Sequence, residues 1–437
     1  MSQVALGWSM APTKLRWLDW LAGFLLLGYF CMTRSFAYLG VAPLYIGEIG
    51  LAAFLLCHPQ PAIRQWIGTQ YRPSPISGFS WLYYLFLGYG VISIVRGVSA
   101  GHDLMVTVQC AVVHVYPLYF FVGWWVGGRH SRFLPKAIYW MAWLNGLYGL
   151  VYIPLLLHSK EIMTGMEVGW FGDPRGASVA ILGLLCFGRE FKRAWIPLII
   201  NFVVLVGMQS RSAWIALFLC IPLWGLLAGR LPGVLKVSTA AFATLLLFLM
   251  VDAPLPIRND QGERLTTRNV VGFAIAAVDK EAASGMTRHA ASDNSTVTWR
   301  TRWWDTLWHT SHETPTRALF GPGYGYPIWN YHEEKLDDVK LRTPHNAFYF
   351  ALVYTGWTGV ILFFGLQLGL AAVLWRVYRH TGQAFGFCFW VLMMVRSCFT
   401  PFFETPYGAI PFFLICGLAA APLMHASLSN EPKQVTR

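Results

Sequence analysis

The sequence predicts an all-α integral membrane protein with about twelve transmembrane helices and one large helical loop. Hydrophobic residues make up 56% of the 437 residues and charged residues only 12%, whereas a soluble domain carries about 25% charged residues. Apolar runs long enough to cross a bilayer recur along most of the chain. The formal net charge of +12 therefore has to be interpreted from where the basic residues lie, and we expect no nucleic-acid partner.

About twelve apolar segments approach or reach the roughly 17–25 residues that a transmembrane helix needs. They are 18–33, 41–57, 79–96, 104–126, 134–157, 176–188, 194–208, 211–229, 236–252, 346–375, 384–400 and 407–425. The sixth and seventh are short. The tenth is long enough to tilt strongly or to continue beyond the bilayer.

The distribution of basic residues predicts the orientation of the chain. Arg129, Arg132 and Lys136, for example, fall in a connection that a cytoplasmic N-terminus places inside. The positive-inside rule therefore predicts that both termini lie in the cytoplasm. The chain then divides into 1–252 with the first nine spans, an outward-facing loop subdomain at 253–345, and 346–437 with the last three spans and a cytoplasmic tail.

The outer loop, of about 93 residues, is too long for a bare connection. Its stretch TWRTRWWDTLWHT places Trp299, Trp303, Leu307 and Thr310 at helical spacing, which predicts an amphipathic helix. We expect a small helical subdomain that lies on the membrane surface.

Ionisable residues within or beside the spans are expensive and are therefore functional candidates. On the outer side they are Glu48, Arg175, Arg211, His345 and Arg396, together with Arg300 and Arg302 of the loop. Arginine presents a rigid fork of donors to phosphate, and histidine can take a proton from a hydroxyl near neutral pH. This set predicts transfer of a group from a lipid-linked diphosphate to an alcohol, with the arginines stabilising the charge of the leaving phosphate.

Structural alternatives stay open at this stage. Asn346 could cap the helix that follows His345, Arg211 could snorkel, and Arg396 could serve only to pair with an acid such as Glu404. The loop tryptophans could anchor at the membrane interface rather than stack on sugars. His309 and His312 have a spacing that could hold a metal on a helix, but without a further ligand we expect an exposed polar face and no metal site.

Three motifs resemble those of bacterial O-antigen ligases. HNAFYFALVYTGWTG, which starts at His345 and Asn346, fits that family's pattern His-(Asn/Ser)-x9-Gly-x-x-Gly. QSRSAWIAL, with Arg211, is similar to its Ser-Arg-x-Ala-Trp segment. RTRWWDTLWHTSHETPTRALFGPGYG is similar to its Arg-x3-Trp helix followed by Phe-Gly-x-Gly, with Arg300 and Trp304 at the matching positions and Arg302 as a nearby competitor. The order of the motifs and the large loop before the histidine extend the resemblance over most of the chain.

The resemblance implies a fold, an activity and roles for residues. Such enzymes take a glycan from undecaprenyl diphosphate at the periplasmic face of the bacterial inner membrane. They join it to a sugar hydroxyl of lipid A-core with inversion, and they use no metal, nucleotide or other cofactor. By the same resemblance His345 is the general base, and Arg211 and Arg300 hold the diphosphate. The family often has an Asn-Pro-Asn-like turn where this chain has GDPRGAS, so Arg175 is a candidate for a further phosphate contact.

Two other functions compete with ligation. O-antigen and exopolysaccharide polymerases share the scaffold and extend a glycan on a lipid-linked acceptor, so donor chemistry is better supported than the acceptor. A polysaccharide transporter or flippase is less favoured, because transporters tend to have two related halves and ionisable residues near the bilayer midplane. No related halves are evident in this sequence.

Overall fold

The computed structural model describes the apolar core of the chain and part of the outer loop. The described residues are 16–41, 44–57, 76–156, 160–163, 166–169, 175–208, 210–236, 238–239, 243, 255–256, 264–265, 288–331 and 343–423. Most of the predicted ninth span, 236–252, the last residues of the predicted twelfth span, 407–425, and the predicted cytoplasmic tail lie outside these residues.

Helices dominate the described part of the chain. In order they are α1 Trp17–Cys31, α2 Thr33–Ala37, α3 Ile46–Cys57, α4 Ser77–Ser99, α5 Leu104–Ala111, α6 Leu118–Arg129, α7 Phe133–Leu156, α8 Arg175–Phe187, α9 Trp195–Gly207, α10 Arg211–Leu227, α11 Arg288–Ser311, α12 Pro315–Phe320, α13 Ala347–Thr381, α14 Phe385–Ser397 and α15 Pro406–Ala420. Single 3-10 turns occur at Val112–His114, Gly188–Glu190 and Ile328–Tyr331.

Three short antiparallel hairpins, which the all-α prediction did not include, join helices. They are Gly40–Val41 with Leu44–Tyr45, Lys160–Met163 with Met166–Gly169, and Leu255–Pro256 with Arg264–Leu265.

The prediction of a helical membrane protein is confirmed. Three helical stretches are long and apolar enough to cross a membrane, namely Ser77–Ser99, Leu104–Arg129 and Ala347–Thr381, and shorter apolar helices accompany them. Helices occupy the positions of the predicted spans, apart from the ninth. The number of spans stays a prediction.

The helix α15 is the centre of the bundle, since every residue from Pro406 to Ala420 is buried. It packs against α6 through glycines on both helices. A Cβ atom at Gly417 would lie 2.0 Å from the Phe120 carbonyl oxygen, and one at Gly123 would lie 2.1 Å from the Leu414 carbonyl oxygen. Small residues thus let the two backbones approach, as is typical of helices packed within membranes.

The helix α13 begins at a side-chain cap and is broken once. The Asn346 side-chain oxygen accepts hydrogen bonds from the amides of Phe348 at 2.9 Å and Tyr349 at 3.3 Å, which satisfies orphan donors of the first turn. The helix then runs for 35 residues, about 52 Å, so it extends beyond a bilayer core of about 30 Å. Its backbone is non-helical at Gly356, with φ 63° and ψ −169°.

The break at Gly356 accommodates the chain that follows α12. A Cβ atom at Gly356 would lie 2.6 Å from the backbone nitrogen of Gly321, so a side chain at this position would clash in addition to being strained by the positive φ. A loop backbone therefore packs against the helix at this glycine.

The turn at residues 321–326 inserts into the bundle. Tyr324 is buried, and its hydroxyl lies 2.7 Å from Nε2 of His114. The Tyr324 carbonyl accepts hydrogen bonds from Thr107 Oγ1 at 3.2 Å and, through the ring nitrogen Nδ1, from His102 at 3.0 Å. The GPGYGY segment is therefore a turn, and it attaches the loop to α4 and α5.

The helix α11 has the predicted amphipathic character. Trp303, Leu307 and Thr310 are buried, whereas Arg302, Asp305 and Thr306 are exposed. The side chain of Trp299 lies outside the described residues. One face of α11, formed by residues three or four positions apart, therefore packs against the bundle.

Candidate functional site

Residues 398–405 connect α14 to α15, and we call this segment the connector. Three of its backbone carbonyls accept hydrogen bonds from predicted site residues. Asn346 Nδ2 donates to Cys398 at 3.1 Å, Arg300 Nη1 to Phe399 at 3.3 Å and Arg175 Nη2 to Pro401 at 3.5 Å. Since a chain advances at most about 3.6 Å per residue, these carbonyls lie within about 11 Å of one another. The connector therefore joins α8, α11 and the start of α13.

His345 lies in a strained turn directly before the helix cap. Its φ is +58°, in the left-handed region that few residues other than glycine occupy. The ring nitrogen Nδ1 lies 3.1 Å from the Thr343 carbonyl oxygen. Since a carbonyl oxygen can only accept, this contact fits the neutral tautomer in which Nδ1–H donates to it and Nε2 is the unprotonated ring nitrogen. A half-buried imidazole with Nε2 as its acceptor is a suitable general base.

Trp304 holds the turn that carries His345. Its indole Nε1–H donates to the Pro344 carbonyl at 2.6 Å. The indole also stacks on Tyr349, with ring centroids 5.4 Å apart and planes inclined by 14°. The turn is thus fixed from α11 on one side and from the connector, through Asn346, on the other.

Arg300 and Trp304 are four residues apart and lie on one face of α11. Arg300 therefore reaches the connector from the same face that holds the His345 turn. Burial lowers the pKa of Arg300, although a guanidinium remains charged at neutral pH. Arg302 is two residues further along the helix, and its side chain is exposed. The geometry thus favours Arg300 over Arg302, in agreement with the motif spacing.

Two further predicted arginines are buried beside the connector. Arg396 is 1% exposed and lies in the last turn of α14, directly before the connector. Arg175 is 4% exposed and begins α8. Its guanidinium carbon lies 5.0 Å from the ring centroid of Phe402 and 4.7 Å from that of Tyr407. Such contacts attract a cation to the ring face.

The structure does not bring every candidate to the connector. Glu48 accepts hydrogen bonds from the Tyr116 hydroxyl and from the Tyr45 amide, both at 3.1 Å. It is therefore held at the start of α3, and none of its described contacts reaches the connector. Arg211 begins α10, but its side chain lies outside the described residues, so its role stays a prediction.

The histidine pair of α11 has other partners. His312 Nδ1 contacts the Trp308 carbonyl at 2.7 Å, and its Nε2 accepts from the Trp357 indole at 3.2 Å. His309 lies 3.6 Å from Asp305. His312 therefore helps to join α11 to α13.

One residue that the sequence did not single out as a site residue is central to the connector. Glu404 is buried, and its Oε2 accepts a hydrogen bond from the Phe402 amide at 3.0 Å. Burial raises the pKa of this carboxyl to about 7. The only sequence signal was an acid close to Arg396, which suggested a salt bridge.

The comparison with protein families adds an independent finding. Residues 196–364 match the family model described as O-antigen ligase. The resemblance predicted from the motifs is thereby confirmed for this part of the chain. The matched range contains Arg300, Trp304 and His345, whereas Arg175 and Arg396 lie outside it and reach the same site through the fold. No curated protein matches the chain significantly.

Proposed function

We propose that the protein is a ligase-type membrane glycosyltransferase. It moves a glycan from undecaprenyl diphosphate to a sugar hydroxyl of lipid A-core at the periplasmic face of the bacterial inner membrane. The observation that carries this proposal is the convergence of Arg175, Arg300 and Asn346 on the connector, next to Arg396 and beside the turn of His345. The O-antigen ligase match to residues 196–364 supports the same donor chemistry.

In the proposed reaction, Nε2 of His345 takes the proton of the acceptor hydroxyl. The acceptor oxygen attacks the anomeric carbon of the donor as the bond from that carbon to the diphosphate oxygen breaks. The attack comes from the face opposite to the leaving group, so the configuration inverts. General-base catalysis of this kind contributes about 10²–10⁴-fold to the rate.

The arginines hold the diphosphate in this proposal. Arg300, Arg396 and Arg175 stabilise the negative charge that develops on the leaving phosphate, since fixed cations away from bulk water stabilise such charge strongly. Arg211 is the fourth candidate, by resemblance to the family motif, and Arg302 is the alternative to Arg300. Trp304 and Asn346 keep the His345 turn in place. Glu48 remains a predicted site residue without a described contact to the connector.

The proposed orientation follows from the charge distribution. Both termini lie in the cytoplasm, residues 253–345 form the periplasmic loop subdomain, and the connector faces the periplasm. The reaction uses no metal, as the family resemblance implies. The partners are the lipid-linked donor, the glycan acceptor and the surrounding membrane lipid.

The test is a reconstituted transfer assay with purified protein, undecaprenyl diphosphate-linked glycan and lipid A-core. His345→Ala is expected to lower the transfer rate by at least about 100-fold while the protein still inserts and binds the donor. His309→Ala, which removes an exposed histidine of α11, is the matched control and should retain the rate. Full activity of His345→Ala would exclude the general-base role.

The product of the same assay distinguishes ligation from polymerisation. Glycan attached to lipid A-core supports the proposal. Longer glycan on the lipid carrier, with lipid A-core unmodified, would instead assign the protein as a polymerase.

A further inference from the structure

A small cavity lies behind the His345 turn. Its lining includes Tyr324, Ala347, Ala351, Thr355, Phe403 and Glu404. The first residue of α13, Ala347, is two residues after His345 in the chain. The cavity has a volume of about 10 Å³, which is room for about one water molecule.

Glu404 lines this cavity and carries an unsatisfied carboxyl oxygen. Its Oε2 accepts from the Phe402 amide at 3.0 Å, whereas its Oε1 has no hydrogen-bond partner among the residues that the structure describes. Nearly all buried polar atoms have a partner in protein or ordered water. The hydroxyls of Thr355 and Tyr324 belong to residues that line the same cavity, and each hydroxyl oxygen can accept a further hydrogen bond. The lining thus includes three residues with polar side-chain groups, which are the partners that a buried water needs.

The surroundings of Glu404 favour its neutral form. Burial raises the pKa of its carboxyl to about 7, although Arg175 of α8 lowers it. From the turn at 321–326, the titratable residue that lines the same cavity is Tyr324, whose hydroxyl lies 2.7 Å from Nε2 of His114. The cavity residues of α13 carry no ionisable side chain. Below about pH 7 the side chain is therefore mainly a carboxylic acid.

Glu404 also closes the turn that ends the connector. Its Oε2 binds the Phe402 amide, and the Thr405 hydroxyl donates to the Phe402 carbonyl at 3.0 Å. This turn follows Pro401, Phe399 and Cys398, whose carbonyls bind Arg175, Arg300 and Asn346. A change in the turn therefore moves the anchoring points of all three side chains.

We propose that Glu404 is a positioning residue, held as a neutral acid that binds one water molecule in this cavity, and that it sets the connector geometry on which Arg300 and His345 depend. The effect on catalysis rests on the proposed function. The protonation and the connector geometry do not, and they are tested without substrate.

The first test is the pH dependence of thermal stability for wild type and Glu404→Gln. Glu404 ionises near pH 4.5 in the unfolded chain and near pH 7 in the folded protein. Wild type therefore loses stability as the pH rises through that interval, whereas the glutamine variant does not. We expect a difference in Tm that opens between about pH 4.5 and 7 and is constant above. If the Tm values of the two proteins change in parallel with pH, Glu404 is not held as a neutral acid and the proposal is overturned.

The second test measures the connector directly. Cys398 is exposed, so its labelling rate with a maleimide reports the local geometry. Glu404→Ala is expected to change this rate and to lower transfer by about 10- to 100-fold, because small displacements of catalytic groups have effects of this size. Glu404→Gln should retain most of the wild-type labelling rate and transfer rate, since its side chain can still bind the Phe402 amide and a water.

The control is Glu313→Ala, which removes an exposed acid of the outer loop and should change neither quantity. Unchanged labelling and transfer in Glu404→Ala would overturn the positioning role. If labelling and Tm respond as expected while no variant, wild type included, transfers glycan, the proposed function fails and the structural role of Glu404 stands.

Discussion

Charged side chains are buried at both ends of the central helix α15, but the groups that they contact differ. Near its C-terminal end Asp19, fully buried, accepts hydrogen bonds from His130 Nε2 at 2.9 Å and the Arg16 amide at 2.8 Å, and it lies 3.7 Å from Arg129. Acid and base there balance in one cluster. At the N-terminal end, about 22 Å away, Arg300 and Arg175 donate to backbone carbonyls, which carry no net charge.

The difference matters for the proposed function. A buried acid and base that form one cluster join helices and have little to offer a substrate. Arg300 and Arg175 instead bring cationic side chains to the backbone carbonyls of the connector. The proposed function therefore uses the connector end, and not the Asp19 end, for the diphosphate. The Asp19 cluster joins α1 to α6.

Among variants at the two ends of α15, we expect Arg300→Ala to have the largest effect on the transfer rate. Removal of a fixed donor to developing negative charge lowers rates by about 10²–10³-fold, and we expect a loss of this size in reconstituted transfer with little change in Tm. Arg302→Ala removes the exposed neighbour on the same helix and should stay within a few-fold of wild type. Equal losses in both variants would remove the distinction between the two arginines.

At the opposite end, Asp19→Asn should affect stability and leave catalysis intact. Removing the charge of a buried acid that contacts Arg129 and His130 costs about 2 kcal/mol or more. We expect a lower Tm with an unchanged transfer rate per folded molecule. Asp305→Asn, at an exposed position, is the control. A lost transfer rate at unchanged Tm would show that the Asp19 cluster also serves the reaction.

We expect the smallest effect from Trp304→Phe, which tests whether the Trp304 hydrogen bond holds the His345 turn. Phenylalanine keeps an aromatic ring against Tyr349 but removes the hydrogen bond to the Pro344 carbonyl. The loss of about 1 kcal/mol predicts a decrease in transfer of less than about tenfold. Trp308→Phe, on the same helix but outside the turn, provides the comparison, and an equal decrease there would exclude a specific role for the Trp304 hydrogen bond.

Much of this architecture was predictable because membrane helices are long apolar segments and caps are local. Hydropathy predicted the positions of the apolar helices, amphipathic spacing predicted α11, and the sequence suggested Asn346 as the cap of α13. The resemblance to the family's Arg-x3-Trp motif already favoured Arg300 over Arg302. These features depend on neighbours within a few residues of each other.

The connector was not predictable for a physical reason. Its acceptors are the carbonyls of Cys398, Phe399 and Pro401, and a backbone carbonyl has no signature in the sequence. The insertion of Tyr324 and the cavity beside Glu404 likewise arise from contacts between segments far apart in the chain. The sequence indicated candidate side chains, and only the fold shows which backbone groups hold them together.

The proposed position of the diphosphate at the connector is tested most directly by whether the donor lipid protects the connector from labelling. Cys398, in the connector, and Cys57, at the far end of α3, are both exposed and can be labelled by a maleimide in the purified protein. We predict that undecaprenyl diphosphate slows labelling of Cys398 several-fold, leaves Cys57 unchanged, and gives no protection in Arg300→Ala. Donor binding that leaves the labelling of Cys398 unaltered would contradict the account, because the diphosphate would then lie elsewhere.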